Sequence, residues 1–280
     1  MEVRLATVND LDDLFALNGL FENTTTIVNK RMGDKFMINK KIMMDCVYHQ
    51  LAIDYNCSPN DFLKDGFIFT EARENKDRRP FPWRTPRLEM VTTGNSVVIN
   101  ASGDVLPYVR EQLKGKTRDE AFCMPFVYGI SPYFLPDIGK IAPLINPDGF
   151  EYEIVEKHSI RKLYENVGFH NAISYDVNRP RPDMLVALAR YKDEIVGMAG
   201  ASADCKTMWQ IGVDVLLPYR GKWLAAALVN MLTLEILNRG YIPYYATDGS
   251  NVVSKHVAVR AGYIPAWVHC YKTRFDGIMK

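Results

Sequence analysis

The chain has 280 residues, is 48% hydrophobic and 24% charged, and carries a formal net charge of +1. The apolar content supports a sizeable core, and the length is long for one domain and comfortable for two. A balance so near neutral excludes a global attraction to nucleic acid or anionic lipid, and no apolar run is long enough to span a bilayer.

From the N-terminus, residues 3–6 read as a strand, and Thr7 followed by Asp10 reads as a helix start ahead of Leu11, Leu14, Phe15 and Leu17. The opening Met1-Glu2-Val3-Arg4-Leu5 lacks the shape of a signal peptide. Residues 37–56 have helical spacing, with Ile42, Met43, Cys46, Val47 and Leu51 as the apolar face. Ser58-Pro59-Asn60-Asp61 opens a second, short helix. Residues 71–87 are polar, basic and proline-containing. Arg73, Lys76, Arg78, Arg79, Arg84 and Arg87, with Phe81 and Trp83 among them, invite a nucleic-acid reading, but the near-zero net charge favours a solvated, proline-stiffened loop. A β-like run at 97–99 and a helix at 104–113 follow. Pro132, Pro136, Pro143, Pro147 and Gly149 then mark a linker, giving an N-terminal α/β domain over 1–145 and a second domain over 146–280.

The second domain is the more legible. Strands are expected at 152–157, 184–191, 195–203, 208–217, 242–247 and 263–273. Helices are expected at 159–167, capped by Ser159, at 221–238, and at 251–260 behind the turn Asp248-Gly249-Ser250. Lys192-Asp193-Glu194 is a tight turn. The order β-α-β-β-β-α-β-α-β is a mixed α/β architecture. Cys46, Cys57, Cys123, Cys205 and Cys270 are odd in number and show no paired spacing. Reduced thiols in the cytoplasm are expected, without a disulfide frame or a metal site. Cys205 and Cys270 have no positioned histidine to activate them.

The most informative stretch is Asp214-Val215-Leu216-Leu217-Pro218-Tyr219-Arg220-Gly221-Lys222-Trp223-Leu224-Ala225. A strand, a tight turn and a helix N-terminus here form a cradle for a phosphate-bearing ligand, since first-turn N–H groups have no partner inside the helix. In the span Arg220–Ala225, Arg220 and Ala225 match the R/Q-x-x-G-x-G/A pyrophosphate loop of the GNAT N-acetyltransferase family, which the stretch resembles, with Trp223 in place of the central glycine. Asn251-Val252-Val253-Ser254 followed by Ala261-Gly262-Tyr263 resembles that family's N-x-x-S/A…G-F/Y segment. Residues 2–17 also resemble the opening of such a domain, so the first part reads either as a degenerate module shaping the acceptor site or as an extension followed by a new fold.

The resemblance implies an acetyl-CoA-dependent N-acetyltransferase moving an acetyl group directly to a small-molecule amine in a ternary complex. The alternative is a non-catalytic acyl-CoA sensor that keeps the fold. The expected partners are that amine and a second copy of the chain, with no membrane and no nucleic acid. The resemblance assigns cofactor contacts to Val215, Leu216, Leu217, Arg220, Gly221, Lys222, Trp223, Leu224, Ala225, Asn251 and Ser254. The family's usual base position is Gln210, which cannot take a proton, so Asp214 is the base candidate. Ala258 stands where a thiolate-protonating tyrosine is usual, so Ser254 is the thiolate partner candidate. Tyr244 and Tyr245 are candidates to line the acceptor pocket. With helical backbone angles at Trp223, its ring would pack on the sheet or cover the cofactor, and Trp223→Gly would leave binding intact or improve it.

Overall fold

The computed structural model describes residues 38–80 and 87–273. The strand expected at 3–6, the helix start at Thr7 and the positions of Phe81, Trp83 and Arg84 lie outside the described residues. In chain order the elements are α1 (Lys40–Tyr55), β1 (Phe67–Glu71), β2 (Leu88–Thr92), β3 (Val97–Ala101), α2 (Leu106–Gln112), α3 (Arg118–Phe122), β4 (Val127–Pro136), β5 (Glu151–Glu156), α4 (Lys157–Ile160), β6 (Asp183–Tyr191), β7 (Glu194–Ala203), β8 (Met208–Val215), α5 (Leu224–Asn238), β9 (Ile242–Ala246), α6 (Val252–Arg260) and β10 (Tyr263–Thr273). From β5 onward the expected β-α-β-β-β-α-β-α-β order is observed.

The strands form one mixed sheet in the order β1-β3-β2-β10-β4-β9-β8-β7-β6-β5. It runs across both parts of the chain. β4 enters between β9 and β10, pairing antiparallel with each. Pro132 and Pro136, read from sequence as linker residues, therefore lie in a strand. Side chains alternate across it: Tyr133 and Leu135 join the core under α1, while Phe134 joins the core under α5. α2 and α3 cover a third cluster built on β2 and β3. Residues 160–173 cover β6 and β7 on the face opposite α5.

Local chemistry sets several element ends. Asn39 caps α1 by accepting from the Ile42 N–H, and Asn56 closes it in the left-handed conformation. Ser58 and Asp61 form a reciprocal capping box. Lys192 and Asp193 both take positive φ, as a two-residue turn between twisted antiparallel strands requires. Ser159 does not cap a helix. α4 starts at Lys157 without a side-chain cap and passes into a tight 3-10 turn over Arg161–Glu165. Ile160, Leu163 and Phe169 along this wrap are buried in the core.

The basic loop differs from its expected solvated form. Arg73 is exposed, but Arg78, Arg79 and Arg87 are buried. Arg79 pairs with Asp54 on α1, while Arg78 and Arg87 both pair with Glu89 on β2. Burying these charges is tolerable because each meets a carboxylate.

His269 on β10 sits in the same interior, its ring 5.9 Å from Tyr133 and 5.8 Å from Tyr55. Burial lowers its pKa from 6.5 to about 4, against the opposing pull of Glu89. The unfolded chain therefore takes up a proton below pH 6.5 that the folded chain refuses until about pH 4. His269 thus contributes stability above 6.5 that is lost as pH falls towards 4, with a slope of up to about 1.4 kcal/mol per pH unit. Urea titrations of wild type and His269→Gln at pH 7 and pH 5 test this. The wild type should lose more stability between the two pH values, and equal losses would refute it.

Candidate functional site at the open end of the sheet

β8 pairs with β7 from Trp209 through Val215. It pairs with β9 only from Met208 to Ile211. Beyond that point Gly212–Val215 have no β9 partner, and β9 turns to β4 through Tyr245 and Ala246. The sheet is split at its middle, exposing one edge of β8 in front of the α5 N-terminus.

The connection from β8 to α5 is folded back on the strand. Leu217–Tyr219 form a 3-10 turn, and the Arg220 Nε donates to the Val215 carbonyl at 2.9 Å. Gly221 has φ +77° with nothing near where a Cβ would stand. Trp223 has φ +65°, at the N-cap position of α5. These two left-handed residues explain why the helix begins at Leu224 rather than at Gly221 as expected. No side chain caps α5, so its first-turn N–H groups point out of the helix without an internal acceptor. Leu224 and Ala226 anchor that turn in the core, with Ala225 half-buried beside them.

Trp223 does not pack on the sheet. Its side chain is exposed, and the Arg260 guanidinium lies 3.7 Å from its ring centroid. The expectation for its backbone is overturned, since left-handed angles replace helical ones. Lys222 stands over Tyr219 and Phe150, at 5.5 and 5.9 Å. Leu217 is exposed, and Leu216 is half-buried beside Gly168.

On the far side of the opening, Asn251 caps α6 by accepting from the Ser254 N–H at 3.0 Å. The Ser254 hydroxyl lies 2.8 Å from that of Tyr245. Burial raises the Tyr245 pKa, the Ser254 hydrogen bond opposes this, and the charge of Asp214 adds to it. Tyr245 and Ser254 are thus joined beside the opening, on the α5 side of the sheet. Ala258 and Tyr263 are core residues, the latter bonded to Thr233 at 2.6 Å, and His256 is exposed.

Asp214 is heavily engaged. Its carboxylate accepts from the Asn171 N–H at 2.7 Å, the Asn171 side chain at 2.6 Å and the Ala172 N–H at 3.2 Å. Those bonds hold residues 169–173 flat on β7 and β8, where Gly200 and Gly212 stand opposite each other. A Cβ on either glycine would come within 1.8 Å of a backbone oxygen of Ala172 or Asn171. Gln210 accepts from Arg181 at 3.2 Å and, more weakly, from the Tyr244 hydroxyl at 3.4 Å. Tyr244 also donates to Asp204, a buried carboxylate that Arg181 and Ser202 bond as well. Sequence reasoning missed this network and the 169–173 strap. Two glycines inside strand runs were the available signal, because glycine there marks close backbone approach.

The family model of the GNAT acetyltransferases matches residues 187–273, from β6 to the end of β10. Among solved structures, the chain is similar to a GNAT-family protein of Novosphingobium aromaticivorans at 16% identity and a TM-score of 0.40, covering 51% of this chain and 63% of that one. It is similar to a GCN5-related N-acetyltransferase-like protein of Streptococcus suis at 19% identity and a TM-score of 0.36, covering 64% and 72%. It is also similar to a GCN5-related N-acetyltransferase of Kribbella flavida at 15% identity and a TM-score of 0.38, covering 57% and 65%. The chain thus spans less than two thirds of the length of the first of these. No curated protein matches it.

Proposed function

We propose that this chain, whose residues 187–273 are a GNAT-family domain, is an acetyltransferase that takes acetyl-CoA into the split between β8 and β9. The observation that carries the reading is the unpaired edge Gly212–Val215 leading to an uncapped helix N-terminus. Backbone groups of Val215, Leu216 and Leu217 would meet the pantetheine arm. The N–H groups from Gly221 to Ala225 would hold the pyrophosphate, where the helix dipole favours an anion.

The acceptor in this reading is the amine of a small molecule, arriving neutral. Its nitrogen attacks the thioester carbonyl, the carbon–sulfur bond breaks, the departing thiolate takes a proton from a hydroxyl, and that hydroxyl is restored by the proton the acylated nitrogen sheds. Ser254, held to the Tyr245 hydroxyl, is the proposed proton donor. Asp214 holds the 169–173 strap and thereby shapes the acceptor side. Reduced thiols and an acetyl-CoA supply fit a cytoplasmic enzyme.

Two measurements test this. Calorimetry should detect CoA binding, and thiol release from acetyl-CoA should appear with at least one member of an amine panel. Arg220→Ala removes the tie from loop to strand at Val215, and CoA affinity should fall about tenfold or more, consistent with loss of a charge-assisted contact. Unchanged affinity would sink the phosphate-loop assignment. One observation favours the second reading, a non-catalytic acyl-CoA sensor: the Asp214 carboxylate accepts three hydrogen bonds and Gln210 cannot act as a base. Tight CoA binding without thiol release from any amine would select it.

A further inference from the structure

We propose that the outward face of the Trp223 indole is a stacking platform for the adenine ring of coenzyme A. The proposal rests on the acyl-CoA reading above and names a part of that ligand which the β8 edge and the loop backbone do not reach.

Trp223 is conspicuous in its placement. The other tryptophans among the described residues are buried, Trp209 at 4% and Trp267 at 3% exposure, whereas Trp223 is 59% exposed. It also occupies left-handed backbone space, at φ +65°. A bulky residue is disfavoured there and glycine is at ease. Core burial does not offset that cost, so packing gives no reason for an indole at this position.

The ring's orientation is nevertheless fixed. The Arg260 guanidinium stacks 3.7 Å from its centroid and ties the start of α5 to the end of α6. Arg260 makes no ion pair with a carboxylate among the described residues, so its charge remains available beside the ring. One face of the indole is thus occupied and the other faces outward. It lies one residue ahead of the first turn of α5, where the pyrophosphate is assigned. A purine joined through ribose to that pyrophosphate can reach it, and base–aromatic stacking is favourable for any π-face.

The test compares CoA with 4′-phosphopantetheine, which lacks the adenosine together with the phosphates it carries, by calorimetry on wild type, Trp223→Ala, Trp223→Phe and Trp223→Gly. Trp223→Ala should weaken CoA about tenfold and leave phosphopantetheine within twofold. Trp223→Phe, which keeps a ring, should recover most of the loss. Trp223→Gly, expected from sequence to leave binding intact, should instead bind CoA as weakly as Trp223→Ala while melting no lower than wild type, separating a fold defect from a lost contact. CoA should also quench a fluorescence component that is missing from Trp223→Phe. Equal CoA affinity in wild type and Trp223→Ala overturns the platform while leaving the acyl-CoA reading intact, and so does an equal loss for both ligands. A wild type that binds neither ligand removes the acyl-CoA reading, and the platform with it.

Discussion

Gly212→Ala is expected to destabilise the protein by about 3 kcal/mol, at the upper end of what overpacking does in a filled core. The added methyl would stand 1.8 Å from the Asn171 carbonyl oxygen and 2.8 Å from its carbon. Backbone atoms cannot swing away as a side-chain tip can. The strap is pinned on both sides of the clash: Asp214 holds the Asn171 and Ala172 N–H groups, and Phe169, Ala172 and Ile173 are buried. Relief therefore requires lifting the whole segment, which also exposes the Asp214 carboxylate. For a chain of this size, 3 kcal/mol corresponds to a melting temperature lower by roughly 6–12 °C. Gly149→Ala is the matched control. It has φ +81° but open space around it, so only backbone strain of about 1 kcal/mol is expected. Equal melting temperatures for the two variants would refute the strap as a tight packing element. CoA affinity should fall less than stability in Gly212→Ala, because the strap lies on the acceptor side of the proposed site.

The parts of this fold that were readable share a property: their signals are local. The alternating runs at 184–191 and 195–203, joined by Lys192-Asp193, need only period-two burial and a turn. The helix over 224–238 needs only an apolar run with small residues at its start. The elements that were missed depend on distant partners. β4 contains Pro132 and Pro136 and is held in the sheet by β10, more than a hundred residues downstream. Arg78, Arg79 and Arg87 look solvated in a run of like charges, and become interior residues only when Asp54 and Glu89 are brought to them. At the candidate site, the residue types of the loop and of the Asn251 segment could be read directly. Their geometry could not: whether Asp214 stands free is decided by Asn171, and which way Trp223 points is decided by the sign of one dihedral angle.

Asp54→Ala should be the most damaging single change to the N-terminal part, costing about 3–5 kcal/mol, because it removes the carboxylate from a charge pair buried on both sides. The Arg79 side chain is 1% exposed and that of Asp54 is 2%. Asp54 also accepts hydrogen bonds from the Arg79 backbone N–H and the Gln50 side-chain amide, each at 2.9 Å, so the alanine deletes an acceptor used three times. The guanidinium left behind stands 5.6 Å from the Tyr244 ring and 6.0 Å from Trp267, where cation–π attraction offsets only part of the lost pairing. Exchanging both partners for apolar residues is different in kind. Asp54→Ala combined with Arg79→Met should recover most of the loss, because no buried charge remains to be solvated. Urea unfolding of wild type, the two single variants and the double variant measures the coupling. A loss under 1 kcal/mol for Asp54→Ala, or a double variant as unstable as the sum of the singles, would refute the pair as a buried strut. The consequence reaches the site through one strand. Tyr244 faces Arg79 and bonds Asp204, while its neighbour Tyr245 faces the split and bonds Ser254. Loosening the Asp54–Arg79 pair should therefore shift β9 and weaken CoA binding in the folded fraction, although Asp54 itself lies on α1, under the opposite face of the sheet from α5.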